Sequence, residues 1–143
     1  MSPSEPAVSE RIRTAIDALA EKHGEAEVIA RDAPYLFVDM GVVQVGRFDY
    51  DQDEARIILR IHQDFPDERH YGMVTVPVLT VDGRDPDNTT RNHQQAQALR
   101  QVGIEDYLYW SRDWREISPR KATDLAKATA FVRGTLSNPF DDS

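Results

Sequence analysis

Near the start of the chain, apolar residues recur at three- and four-residue intervals. Val8, Ile12, Ile16, Leu19 and Ala20 fall on one helical face, and Arg11, Arg13, Asp17, Glu21 and Lys22 fall on the other. The spacing predicts an amphipathic helix over about 7–23, with Ser4 before Pro6 as its start and Gly24 as its stop. Packing on its own domain is the expected use of the apolar face.

From Glu27 the period drops to two and β-branched residues become frequent. Glu27 to Arg31 reads as a short strand and Asp32-Ala33-Pro34 as a turn. Tyr35 to Val38 then leads through Gly41 into Val42 to Arg47. In Ala55 to His62, Ile57, Leu59 and Ile61 face one way and Arg56, Arg60 and His62 the other. Gly72 to Val81 is a further strand, in which Pro77 calls for an edge or a bulge. Short connections imply a four-stranded antiparallel meander over about 27–81.

Asp82-Gly83 opens a polar stretch, 82–91, that reads as a long surface loop around Pro86 and Asn88. The rest, 92–137, is expected to be helical. Asn92 to Val102 ends at Gly103. Tyr107, Tyr109, Trp110 and Trp114 follow within a short aromatic run, their i, i+4 tryptophans suited to anchoring a helical layer on the sheet. A last helix starts at Ser118 and Pro119 and carries Leu125, Ala128, Val132 and Leu136 before Asn138-Pro139, with an acidic tail after it. Strands first and helices after predict one α+β domain spanning 1–143, its helices packed on the sheet.

Composition narrows the function. In 143 residues there are 16 Asp and 9 Glu against 14 Arg and 3 Lys, a formal charge of −8. That sign opposes a phosphate-backbone partner, so no nucleic acid is expected. No stretch approaches the roughly 18 apolar residues of a membrane span. Met1 to Pro6 lacks a basic segment leading into an apolar run, so a cytoplasmic location and no membrane partner are expected. The chain has no cysteine, which excludes a disulfide framework, Cys-ligated metal sites and a thiol nucleophile.

Asp49, Asp51 and Asp53 imitate the start of a calcium loop, but Glu54 stands where the turn glycine belongs and Arg60 where a bidentate glutamate belongs. They read as a solvated acidic hairpin. His23, His62, His70 and His93 include no i, i+4 pair for zinc, although the turn at Phe65-Pro66 could bring His62 and His70 together. No metal or cofactor is expected. No serine lies in a nucleophile-elbow frame, Ser111 included, and the glycines form no phosphate loop. Arg112 and Arg115 can stack on the tryptophans or pair with Asp113, and such clusters also serve as interface hot spots.

Three local signatures, in this order of elements, resemble the ubiquitin-conjugating enzyme (UBC-like) superfamily, and most closely its prokaryotic family E branch. The first is the strand and turn from Ile57 to Phe65-Pro66. The second is the apolar strand Met73 to Leu79 with Pro77 and the Asp82-Gly83-Arg84 turn. The third is Trp110-Ser111-Arg112-Asp113-Trp114 followed by Ser118-Pro119 and the closing helix. Together they cover about 35–136 and imply a UBC-like fold. Catalytic members carry a ubiquitin-like protein as a thioester on a cysteine after the fourth strand, near a His-Pro-Asn turn. Here that stretch is Gly83 to Thr90, with Pro86 and Asn88 but no cysteine. The resemblance therefore implies a non-catalytic relative that binds a ubiquitin-like protein or an activating-enzyme-like protein. Asp85, Asp87, Asn88, His93, Tyr109, Trp110, Arg112 and Trp114 are its candidate binding residues, and no residue is assigned as catalytic. Two other readings stand beside it. One is a small hydrolase or transferase using His70, Asp85, Asp87 and His93, and the other is an assembly subunit with the tryptophan region as its interface.

Overall fold

Helix α1 (Glu10–His23) begins where Ser9 accepts the Ile12 N–H on its hydroxyl, at 3.2 Å, and ends at Gly24, whose φ of 118° suits glycine. The protein's structure, a computed structural model, describes residues 9–67, 71–113 and 120–140. The expected start at Ser4 and the stretch Ala7-Val8 lie outside the described residues, as do His70, Trp114, Arg115, Ser118, Pro119 and the acidic tail.

Four strands follow in sequence as a meander: β1 (Glu27–Asp32), β2 (Tyr35–Gln44), β3 (Glu54–His62) and β4 (Tyr71–Val76). All neighbours are antiparallel. Between Asp39 and Val42 the β2–β3 register shifts, and the Asp39 carboxylate accepts the Gly41 N–H at 2.8 Å inside that irregularity. Strand β4 stops at Val76, short of the expected Val81, because Pro77 has no N–H to give the ladder.

The sheet has six strands, two more than the meander predicts. Segment β5 (Thr89–Arg91) lies within the expected loop, and β6 (Leu108–Asp113) lies within the expected helical region. The order is β1-β2-β3-β4-β6-β5, with β6 antiparallel to both β4 and β5. Tyr107 to Trp110 is better explained by period two than by helical spacing. Leu108 and Trp110 enter one core and Tyr107 and Tyr109 the other, and aromatic residues suit a pleated surface.

Both faces of the sheet are covered. On one, α1, the 3₁₀ segment Ala122–Lys127 and helix α2 (Ala128–Leu136) pack over Leu36, Val38, Ile57, Leu59, Met73 and Trp110. Leu125, Ala128, Val132 and Leu136 are buried there, as their spacing predicts. On the other, the 3₁₀ segment Gln94–Val102, kinked at Ala96, lays Ala96, Ala98 and Leu99 on Phe37, Ile58, Val74 and Tyr109. Ile58 sits between the half-buried Arg56 and Arg60 on that face and is itself fully buried, so β3 enters a core on both sides at its centre.

Candidate functional site

The segment after β4 is tied to the domain at several points. Val81 and Arg84 close a tight turn through Asp82 and Gly83, both at positive φ. The Asp51 carboxylate holds that turn: it accepts the Thr80 hydroxyl at 2.6 Å and the N–H groups of Asp82 and Gly83 at 3.0 and 2.9 Å. These bonds, the Thr80 hydroxyl first, keep its pKa below the ordinary carboxylate value. Asp51 is therefore a fixed acceptor, while Asp49, Asp51 and Asp53 are all exposed, as a solvated acidic hairpin requires. Among the described residues no group of three potential ligands could hold a metal ion.

Further along, Asp85 receives both arms of Arg91, at 2.8 and 2.6 Å, and this hydrogen-bonded pair lowers the Asp85 pKa. Asp87 contributes its backbone: its N–H donates to the Pro139 carbonyl at 2.7 Å, and its carbonyl accepts from Arg112 at 2.9 Å. The Asn88 carbonyl accepts the Ser111 N–H at 2.8 Å, and Asn88 itself takes a φ of 58°. The Thr89 hydroxyl donates to the Pro86 carbonyl at 2.6 Å.

Arg112 organises this region. Its guanidinium is buried and donates to the carbonyls of Asp87, Asn138 and Pro139, while its carbon end lies 5.3 Å from the centre of the Trp110 ring. A planar fork serving three carbonyls holds the chain after α2 against the loop before β5. Arg84, 4.4 Å from the Phe140 ring centre, adds a second contact between the same two segments.

Trp110 is fully buried, its Nε1–H donating to the Thr75 hydroxyl, with Tyr50 edge-on to it. Burial raises the Tyr50 pKa, the nearby Arg112 charge opposing this, and the Tyr50 hydroxyl donates to the Leu136 carbonyl at 2.7 Å. Tyr109, the next residue back, points to the opposite face. There the His93 ring centre lies 5.2 Å from its own. Burial raises the Tyr109 pKa as well, opposed by Arg60. His93 caps the segment Gln94–Val102, its Nδ1 accepting the Gln95 N–H at 2.9 Å.

The candidate residues thus form three groups. Asp87, Asn88, Trp110 and Arg112 meet around the loop and the end of α2, His93 meets Tyr109 across the sheet, and Asp85 pairs with Arg91. No hydrogen bond or ion pair joins His93 to Asp85 or Asp87 among the described residues. Strand alternation separates Tyr109 from Trp110, an outcome the helical reading of this run could not anticipate. Sequence reasoning passed over Tyr50 and Thr75, buried polar partners whose significance comes from residues 60 and 35 positions away. It also passed over the Arg56–Asp39 pair, in which two guanidinium nitrogens donate to Asp39 Oδ2 at 2.9 and 2.6 Å while Oδ1 holds the β2 irregularity through the Gly41 N–H. The alternation of Asp39 with apolar neighbours was the available signal for that pair.

No helix among the described residues is long and apolar enough to cross a membrane. Comparison of the chain with protein-family models, with curated proteins and with solved structures finds no match.

Proposed function

We propose that this chain is a non-catalytic UBC-like protein that binds a ubiquitin-like protein or another component of a prokaryotic ubiquitin-like conjugation pathway, such as an activating-enzyme-like protein. The observation that carries the reading is the order of elements: helix α1, an uninterrupted β1–β4 antiparallel meander, then a cysteine-free polar segment where the resemblance puts the thioester loop. Transthiolation needs a thiolate, and the Thr89 hydroxyl in this segment donates to the Pro86 carbonyl, with no base bonded to it among the described residues. The fastening of the segment by Asp51, Arg91 and Arg112 favours presentation of a fixed surface over chemistry on a moving loop.

Affinity capture from the native cell at its own salt, followed by mass spectrometry, tests this. The intact protein is expected to recover a ubiquitin-like or an activating-enzyme-like protein. A variant with Asp85→Ala and Arg91→Ala, which removes one exposed ion pair of the segment, is expected to recover less. Recovery of neither class by the intact protein would overturn the reading.

A further inference from the structure

Where the end of α1, the end of β2 and helix α2 meet, a slot of about 100 Å³ opens at the surface. Its walls are apolar: Met40 and Val43 come from β2, Phe48 from the 3₁₀ turn Gly46–Phe48, and Val132 and Leu136 from α2. The charged residues of the lining are Arg47 and Arg133, and no carboxylate joins them. Arg47 lies over the Phe48 ring, 4.7 Å from its centre, so its cation stands beside an apolar wall. Neither arginine has an ion pair or a side-chain hydrogen bond among the described residues, whereas Arg11, Arg56 and Arg91 each meet an aspartate. Asp49 and Asp53, which flank the turn, are exposed and lie outside the lining. The cationic surplus extends along the chain: residues 117–140 carry Arg120, Lys121, Lys127 and Arg133 against Asp124 alone, in a protein of formal charge −8. Asp124 is already engaged by the N–H groups of Arg120 and Lys121 and by Lys127.

We infer that this slot binds a small organic acid, its hydrocarbon body against Val43, Phe48 and Val132 and its carboxylate at Arg47 and Arg133. Two cations with no counter-charge in the lining select an anion, and the apolar walls select one that carries a hydrocarbon body. Size bounds that body. A cavity of about 150 Å³ holds benzene, so two thirds of that volume suits about four carbons, a short branched group in preference to a long chain. The uncharged polar groups of the lining select against a peptide. His23 Nε2–H donates to the Met40 carbonyl at 2.8 Å and the Thr129 hydroxyl to the Ala126 carbonyl at 3.1 Å, so neither offers a donor to a peptide carbonyl. The ligand is therefore a free acid and not a chain terminus. The inference does not rest on the UBC-like reading.

The test is NMR titration of the full chain with ¹³C-labelled methyl groups, following Val43, Val132 and Leu136, against 3-methylbutanoate, 3-methylbutanamide, acetate and N-acetyl-leucine. The branched acid is expected to shift these signals at concentrations about fivefold lower than its amide, since two exposed arginines act on one carboxylate. Acetate should be weaker than the branched acid by about tenfold or more, because each buried methylene is worth about fourfold in affinity. N-acetyl-leucine should also be weaker than the branched acid. Added salt should weaken the acid and leave the amide unchanged. The double variant Arg47→Gln with Arg133→Gln, altered at exposed positions, should bind the acid no better than the amide. Equal response to acid and amide, acetate as tight as the branched acid, tighter binding of N-acetyl-leucine, no response to any probe, or undiminished binding by the folded double variant would overturn the inference. The acid-against-amide comparison uses the unaltered protein and holds even if the variant fails to fold.

Discussion

The indole Nε1–H of Trp110 on β6 donates to the hydroxyl of Thr75 on β4 at 2.9 Å, with both residues wholly buried. The bond joins the meander to the strand inserted beside it, and each partner satisfies a group that would otherwise be unpaired in the core. Thr75→Val preserves shape and removes the acceptor, so it should destabilise the protein by about 1–3 kcal/mol. Trp110→Phe should cost more, because it also leaves a void. In urea unfolding, the double variant is expected to lose less than the sum of the two single changes. Strict additivity would mean that the bond contributes nothing.

Arg112→Lys keeps the charge but cannot serve the carbonyls of Asp87, Asn138 and Pro139 together. A loss of about 2–4 kcal/mol is expected, since the removed bonds are charge-assisted and largely screened from water. Hydrogen exchange should speed up at the Asp87 amide, bonded to Pro139, before it does so in β2 or β3. Uniform acceleration across the sheet would contradict this local role.

Gly72 takes a φ of 91°, and a Cβ built on it would lie 2.6 Å from the Tyr109 hydroxyl and 3.0 Å from the Trp110 carbonyl. Gly72→Ala therefore meets both a strained backbone and a crowded neighbour, and a loss above about 1 kcal/mol is expected. Gly83→Ala has the same sign of φ but open space around it, so in thermal melts of the two variants it should cost less than Gly72→Ala.

Acid stability should depend on Asp51, Asp85 and Asp124. The first is held down chiefly by the Thr80 hydroxyl, the second by Arg91 and the third by the Arg120 N–H, and all three pKa values lie below the ordinary 3.8. A depressed carboxylate stabilises the fold fully above its unfolded pKa, and that contribution disappears as the pH falls through the folded value. The melting temperature should therefore fall as the pH drops below about 4. Asp51→Asn should lower it at neutral pH and flatten the acid limb. An acid limb identical to that of the unaltered protein would show that Asp51 does not contribute.

Local patterns in the sequence determined the helix at 10–23, the four meander strands and the buried stripe through Leu125, Val132 and Leu136, because each depends on a periodicity read within a dozen residues. The tertiary structure decided the fate of 107–113. Its apolar residues fit either a helix or a strand over so short a run, and the vacant edge of β4 selected the strand. That choice turned Trp110 from a helical anchor into the centre of one core and sent Tyr109 to the other. The candidate loop followed the same division. Its polar, cysteine-free character was legible directly, whereas its fastening by Asp51 and Arg112 comes from residues more than 20 positions away, which no local pattern encodes. The absence of cysteine is a property of the sequence alone. The placement of Arg47 and Arg133 in one apolar slot without a carboxylate in its lining is a property of the fold, set where β2, the turn after it and α2 meet.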